Sequence, residues 1–234
     1  MFSGASVGTG LARTGLCSHH TNPETPVKLY TMPGTCALAP NIAVAWEDAP
    51  IEVVAMEYGD HRTDDYLAIN PKGQVPALAF DDGDVLTEAA AILSYIGAAH
   101  GGEGSGRYAR DEPLGRKEAE KLSFLTSEVH AAYGPHFAPQ RFAESESAQE
   151  EVKAAAYETL DGHYRRLDEE VGDGPWLLDA KSYADAYLYV TTRWLEQTPL
   201  SIDDYPNLKR HRERMEADEG VKTALARQNM EPVG

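Results

Sequence analysis

Cys36 closes the segment Pro33-Gly34-Thr35-Cys36, between a run of alternating apolar and polar residues and the first turn of a helix. At a helix start the backbone N–H groups lack intrahelical partners, and the positive end of the helix dipole lies there. A thiol so placed is expected to be held as a thiolate, its pKa lowered from ~8.5 into a range of about 3.5–7.5. The other fate of a lone cysteine is a small buried thiol. No second cysteine lies at the two-residue spacing of a dithiol motif. A redox cycle at Cys36 would therefore take its second thiol from a small molecule.

Four further groups could serve a ligand. Pro76 interrupts an apolar run and removes a ladder donor. A cis Val75-Pro76 bond would turn the N–H and C=O of Val75 outward to pair with an extended peptide, although residue statistics favour an ordinary trans bond at a strand start. Thr87-Glu88-Ala89-Ala90 opens a helix. Its bare N–H groups would suit an α-carboxylate and Glu88 an α-amino group, or Glu88 simply complements the helix dipole. Ser123, Ser127 and His130, at i, i+4 and i+7, share one helix face. That face could handle a proton near neutral pH, while the plainer reading is a solvated face with one histidine. His61 and Arg62 are among the few cationic candidates in their half of the chain; one could receive a carboxylate, and surface decoration is the plainer reading for His61.

Several elements must position these groups. Val27 to Thr31 alternates as a half-buried strand does, and Pro33-Gly34 ends it. A helix follows through Pro40 to Trp46, with proline tolerated in its first turn, and Pro50 stops it. Ile51 to Met56 reads as a second strand, so the first thirty residues of this region form a βαβ unit with parallel strands. After the turn Asn70-Pro71-Lys72-Gly73 come a strand over Val75 to Phe80, the hairpin signal Asp82-Gly83, and Val85-Leu86. Glu88 to His100 reads as a helix. The order is β-α-β, a crossing, then β-β-α. Residues 101–106 read as a linker. Beyond it one helix carries Leu122, Leu125 and Val129 and stops at Gly134-Pro135. Another carries Val152, Ala156, Leu160, Leu167 and Val171 and ends at Gly172. Ser182-Tyr183-Ala184-Asp185 resembles a capping box with Asp in the usual Glu place.

The chain has 234 residues with 42% hydrophobic and 25% charged residues, as soluble globular proteins do. Its formal charge of -17 argues against nucleic acid and anionic membrane surfaces as partners. Residues 27–100 hold 11 acids against 3 bases and residues 101–234 hold 26 against 17, so the acidity is not a tail. An anionic substrate is repelled at long range by this field, and its site must be locally positive. Two cysteines cannot build a disulfide scaffold or a four-thiolate metal site, and a reducing cytoplasm is expected. Residues 1–26, rich in Gly, Ser and Thr, read as a disordered leader or a start assigned too early. Cys17, His19 and His20 within them are expected to hold no metal.

Together these segments resemble a cytosolic glutathione S-transferase, closest to the bacterial beta class. The resemblance rests on Lys28-Leu29-Tyr30 with Pro33 to Pro40, on Asn70-Pro71-Lys72-Gly73-Gln74-Val75-Pro76-Ala77-Leu78, on Leu86-Thr87-Glu88-Ala89, and on Ser182 to Leu188. It covers roughly residues 27–228. It implies an α/β thioredoxin-like domain over 27–102 (βαβ-ββα), a linker over 103–113, an all-helical domain over 114–230, and a homodimer. It implies glutathione as co-substrate, no metal, and a hydrophobic electrophilic small molecule as second substrate, in detoxification. Cys36 and His130 match the class's catalytic cysteine and helical-domain histidine. Val75 would pair with the cysteinyl backbone, with Pro76 beside it in the binding site, Glu88 and Ala89 would hold the γ-glutamyl end, and Ser123 and Ser127 fall at further polar contacts. Ala89 stands where many members have Ser. The segment around residues 59–63 looks shorter than the class pattern, leaving Arg62 as the choice for the glycine carboxylate. The resemblance also admits non-catalytic binding or regulatory proteins of the same fold.

Overall fold

The computed structural model describes residues 26–101 and 113–233. All but the last residue of the expected leader over 1–26, with Cys17, His19 and His20, and nearly all of the linker lie outside these residues. Strand β1 (Lys28–Thr31), helix α1 (Leu38–Trp46) and strand β2 (Glu52–Ala55) form the expected parallel unit, with Leu29 opposite Val53. Strands β3 (Ala77–Ala79) and β4 (Val85–Thr87) form the Asp82-Gly83 hairpin, with Gly83 at φ 91° and the Phe80 N–H donating to the Asp84 carbonyl. β3 runs antiparallel to β1, so the sheet order is β2-β1-β3-β4. Helix α3 (Ala89–His100) completes the α/β half.

The crossing between β2 and β3 carries regular structure of its own. It contains a 3-10 turn (Asp60–Arg62) and a helix, α2 (Asp64–Ile69), whose start Thr63 caps by accepting the Tyr66 N–H. Tyr66 then donates its hydroxyl to the Gln74 carbonyl at 2.6 Å and so fixes the loop before Val75.

The rest is helical, as expected. Helix α4 (Pro113–Phe124) does not run on regularly to Gly134. It passes through a π turn (Leu125–Val129), in which the His130 N–H donates to the Leu125 carbonyl, into the short α5 (His130–Ala132). Gly134-Pro135 then opens α6 (Gly134–Phe137) where a stop was expected; proline fits the first turn of a helix. Four longer helices follow: α7 (Glu146–Val171), α8 (Tyr183–Trp194), α9 (Pro206–Ala217) and α10 (Glu219–Arg227).

One continuous core joins the sheet to the helices. α1 lies between them. Its Leu38, Ala39, Ile42, Ala43 and Val44 are all buried, so it needs apolar residues on every side. Polar side chains in this layer are satisfied across it: Asn41 donates to the Ala224 carbonyl at 3.0 Å, and Trp46 Nε1 donates to Asp218 at 2.7 Å. α8 is buried along its whole length. The capping box at its start is present, and buried Asp185 accepts the Ser182 N–H at 2.8 Å, the Ser182 hydroxyl at 3.0 Å and the Leu177 N–H at 2.8 Å. His211 Nε2 lies 2.9 Å from the same carboxylate. Among the described residues no helix is long and apolar enough to cross a membrane.

Removing the Asp185 carboxylate leaves buried donors without a partner. Asp185→Ala is expected to cost about 3–5 kcal/mol of stability. A urea midpoint equal to that of the native protein would contradict this.

Candidate active site

Where the sheet meets the helical half there is a cleft of about 660 Å³. Cys36, Val75, Pro76, Glu88, Ala89, Arg62 and His130 all line it. Seven of the nine residues that the resemblance assigned to the site therefore converge, from the β1–α1 loop, the 3-10 turn, the approach to β3, the start of α3 and the start of α5.

The two exceptions are Ser123 and Ser127. Both are exposed, neither lines the cleft, and the Ser127 hydroxyl donates to the Ser123 carbonyl at 2.8 Å. The expectation assumed a regular helix from Ser123 to His130. The π turn closes i→i+5 bonds and re-phases the face. Thr126 and Ala131 consequently join His130 in the lining.

Cys36 is held from several sides. Gly34 adopts φ 76°, which glycine tolerates without a Cβ clash, and its carbonyl accepts the indole N–H of Trp194 at 2.9 Å. The Thr35 hydroxyl donates to the Met32 carbonyl at 2.7 Å. The Val75-Pro76 bond is cis, against the trans bond that residue statistics favour. The Cys36 thiol points at the Val75 carbonyl, with Sγ 3.8 Å from the oxygen.

The thiolate expected from helix position is corrected by the structure. Burial pushes the Cys36 thiol up to about 11, and the nearby Glu88 charge acts in the same direction. The donors at the start of α1 are already engaged. The N–H groups of Leu38 and Ala39 donate to the carbonyls of Thr35 and Cys36, and that of Ala37 donates to the Thr35 hydroxyl. Hydrogen bonding from Tyr187 and from the backbone N–H of Cys36 works toward the thiolate but does not overcome burial.

His130 does not reach the sulfur directly. Its Nδ1 lies 2.7 Å from the Tyr187 hydroxyl, and its ring meets that of Trp194 edge to face at 4.8 Å between centroids. Burial lowers its pKa, while the Glu88 charge raises it. Tyr187, on α8, is 1% exposed, and burial raises its phenol pKa. Sequence reasoning missed Tyr187 because it sits in an apolar helix pattern. Its signal was a hydroxyl in a stretch with no exposed face.

Glu88 precedes α3 with φ 71° and ψ 116°, a strained conformation for a residue with a Cβ and one that clusters at functional sites. Its side chain is exposed and pairs with Lys72 Nζ at 3.1 Å; Lys72 also bonds to the Thr87 hydroxyl at 3.2 Å. Lys72, present in the quoted Asn70-Pro71-Lys72-Gly73 segment, is thus a cation in the cleft that had been given no role. His61 is buried rather than surface decoration. It lines the cleft and its Nδ1 has no hydrogen-bond partner. Arg62 is exposed beside it. Among the described residues no group of three His, Cys, Asp or Glu is placed to hold a metal ion.

Comparison with known proteins places the chain in a family. Residues 25–98 match the family model for the glutathione S-transferase N-terminal domain, and residues 123–219 match that for the C-terminal domain. The chain belongs to the glutathione S-transferase family. It is 32% identical over 206 residues to glutathione S-transferase GST-4.5 of Xanthomonas campestris, covering 85% of this chain and 97% of that one. A solved bacterial beta class glutathione S-transferase from Sphingomonas chungbukensis matches with a TM-score of 0.73 at 35% identity, over 87% of this chain and 100% of that one. A sphingomonad glutathione S-transferase solved in complex with glutathione matches with a TM-score of 0.73 at 34% identity, over 87% and 100%. The resemblance to the beta class, the thioredoxin-like fold followed by a helical half, and the assignment as a transferase enzyme are borne out.

In this transferase the burial of Cys36 has a direct consequence for reactivity. Without glutathione, alkylation of Cys36 by iodoacetamide is expected to be slow at pH 7 and to climb with pH toward about 11. A rate that levels off below pH 8 would show a resting thiolate instead.

Proposed function

We propose that the cleft holds glutathione as an added strand and delivers its sulfur, as the thiolate, to a hydrophobic electrophile. The observation that carries this reading is the convergence in one cleft of a thiol, the backbone of Val75 beside Pro76, and a carboxylate next to a helix start. Each part suits one part of the peptide. The Val75 backbone pairs with the cysteinyl unit by strand addition. Glu88 takes the α-amino group, exchanging its Lys72 partner for the ligand's ammonium, and the first-turn N–H groups of Ala89 and Ala90 take the α-carboxylate. Arg62 and Lys72 supply the local positive charge that a ligand with two carboxylates needs in a protein of charge -17. Phe137 and Trp194, stacked edge to face at 5.4 Å on the far wall, offer apolar surface to the electrophile.

Cys36 and His130 are the catalytic pair of this reading. A thiol that keeps its proton is a hydrogen-bond donor, and beside a second sulfur it favours the ionised form of that sulfur. Cys36 also opens a second mode, because its thiol faces the cleft. Attack on a disulfide, or on a glutathione-derived sulfur electrophile, would give a mixed disulfide and thiol-transferase, peroxidase or reductive dehalogenase chemistry. A homodimer working in the cytoplasm, in detoxification, and a domain division within residues 103–113 complete the proposal.

Retention on immobilised glutathione, followed by a thiol-conjugation assay, tests the reading against a purely binding role; retention with no turnover on any electrophile or disulfide would favour the latter. Glu88→Gln is expected to weaken glutathione binding by about 1.5–3 kcal/mol, roughly tenfold to hundredfold, read as KM for glutathione. An unchanged KM would remove Glu88 from the site. Cys36→Ala is expected to abolish disulfide reduction while leaving measurable conjugation. Disulfide reduction at full rate in that variant would end the redox mode.

A further inference from the structure

Cys36 and His130 are linked through a third residue. The Tyr187 hydroxyl lies 2.7 Å from His130 Nδ1 and is near enough to the Cys36 sulfur to act on it, while the thiol itself donates to the Val75 carbonyl at 3.8 Å in this structure. Tyr187 is anchored on α8, buried along its length and fixed by the Asp185 capping box, and it opens onto the cleft. Its position is therefore set by the core and not by the ligand. A phenol with one neighbour on each side can accept a proton from one and donate its own to the other.

We propose that Tyr187 is a proton relay between Cys36 and His130. Once its S–H turns from the Val75 carbonyl to the Tyr187 oxygen, Cys36 gives its proton to that oxygen while the Tyr187 O–H passes its own to His130 Nδ1. The products are a thiolate, an intact phenol now donating to that thiolate, and an imidazolium. No phenolate forms, which matters because burial makes the phenol a poor acid. This rests on the reading of Cys36 as a nucleophile toward a glutathione-containing disulfide. As the proton leaves, the sulfur lone pair forms the new S–S bond, the old S–S bond breaks with its electron pair on the departing sulfur, and that thiolate takes a proton from the imidazolium or from water. Nothing is oxidised or reduced beyond the exchange of disulfide partners.

The surroundings explain why a relay is needed. A buried thiol held near 11 carries almost no thiolate at neutral pH, and a histidine whose pKa burial lowers is a neutral base there. The charged groups facing the pair are few. Glu88, from the turn before α3, disfavours the thiolate and favours the imidazolium, and Lys72 from the loop before β3 is paired with it. His61 and Arg62 line the other side of the cleft.

Alkylation of Cys36 by iodoacetamide, followed from pH 7 to 10 without glutathione, tests the relay independently of glutathione binding. Tyr187→Phe keeps the ring and removes the hydroxyl. It should slow alkylation at each pH by roughly tenfold or more. His130→Gln should do the same, and it serves as the test if Tyr187→Phe does not fold. The double variant should be no slower than either single one, since both break one chain. A Tyr187→Phe profile equal to the native one, or losses that multiply in the double variant, would overturn the proposal. Failure of the native protein to bind immobilised glutathione would instead count against the glutathione reading, and leaves the alkylation result to stand or fall by itself.

Discussion

The site depends on α1 being shared. The helix is buried on the sheet side and on the α8 and α10 side at once, so the loop that leads into it cannot move without disturbing both halves. Close packing makes such a shared element stiff. The hydrogen bond from Trp194 to the Gly34 carbonyl extends that constraint to the loop itself and ties the approach to Cys36 to the end of α8. Tyr187 lies two turns back on the same helix. The thiol and the groups that act on it are therefore indexed to a single buried element, not to flexible loops, which is what precise placement of a reactive sulfur requires.

Local patterns made much of this legible in the sequence. Alternation marked β1, proline in a first turn marked α1, Asp82-Gly83 marked the β3–β4 hairpin, and Ser182 to Asp185 marked the start of α8. Each of these signals is decided within a few residues. What escaped was decided at longer range or against local statistics. α2 has only six residues, too few for a period to declare itself. The π turn at Leu125–Val129 leaves no mark in composition, yet it moves Ser123 and Ser127 off the face that a regular helix would give them. The cis bond before Pro76 goes against residue statistics, which favour a trans bond at an X-Pro pair. The direction of the Cys36 shift was misread for a related reason. Helix position argues for a thiolate, but whether the first-turn donors are still available depends on Thr35 and on the backbone turns around it.

Charge in the cleft is organised against the charge of the whole. The chain carries -17, and Glu88, at the mouth of the cleft, adds to the local negative field that raises the Cys36 thiol. Lys72 offsets it at 3.1 Å, in a pair exposed enough that its net worth to stability is small. A weak, exposed pair is well suited to exchange. An ammonium from a ligand can replace Lys72 at Glu88 at little cost, and the freed Lys72 is then a positive charge beside the helix start of α3. A stronger, buried pair in the same place would resist that exchange.

The Val75 carbonyl sets the last constraint. It accepts the Cys36 thiol in this structure, and on the proposed reading the same backbone unit pairs with the peptide of glutathione. The two uses compete. A ligand strand that engages Val75 would displace the thiol from its acceptor, leaving the Tyr187 oxygen and the incoming sulfur as acceptors for it. Binding would then do two things in one step: complete the strand pairing, and turn the Cys36 proton toward the group that can carry it away or toward the sulfur it can stabilise. A cysteine resting as a thiolate would not be coupled to binding in this way, and would be open to oxidation whenever the cleft is free. Burial that keeps the thiol protonated until the Val75 carbonyl is taken is thus compatible with catalysis, and links reactivity at Cys36 to occupancy of the site.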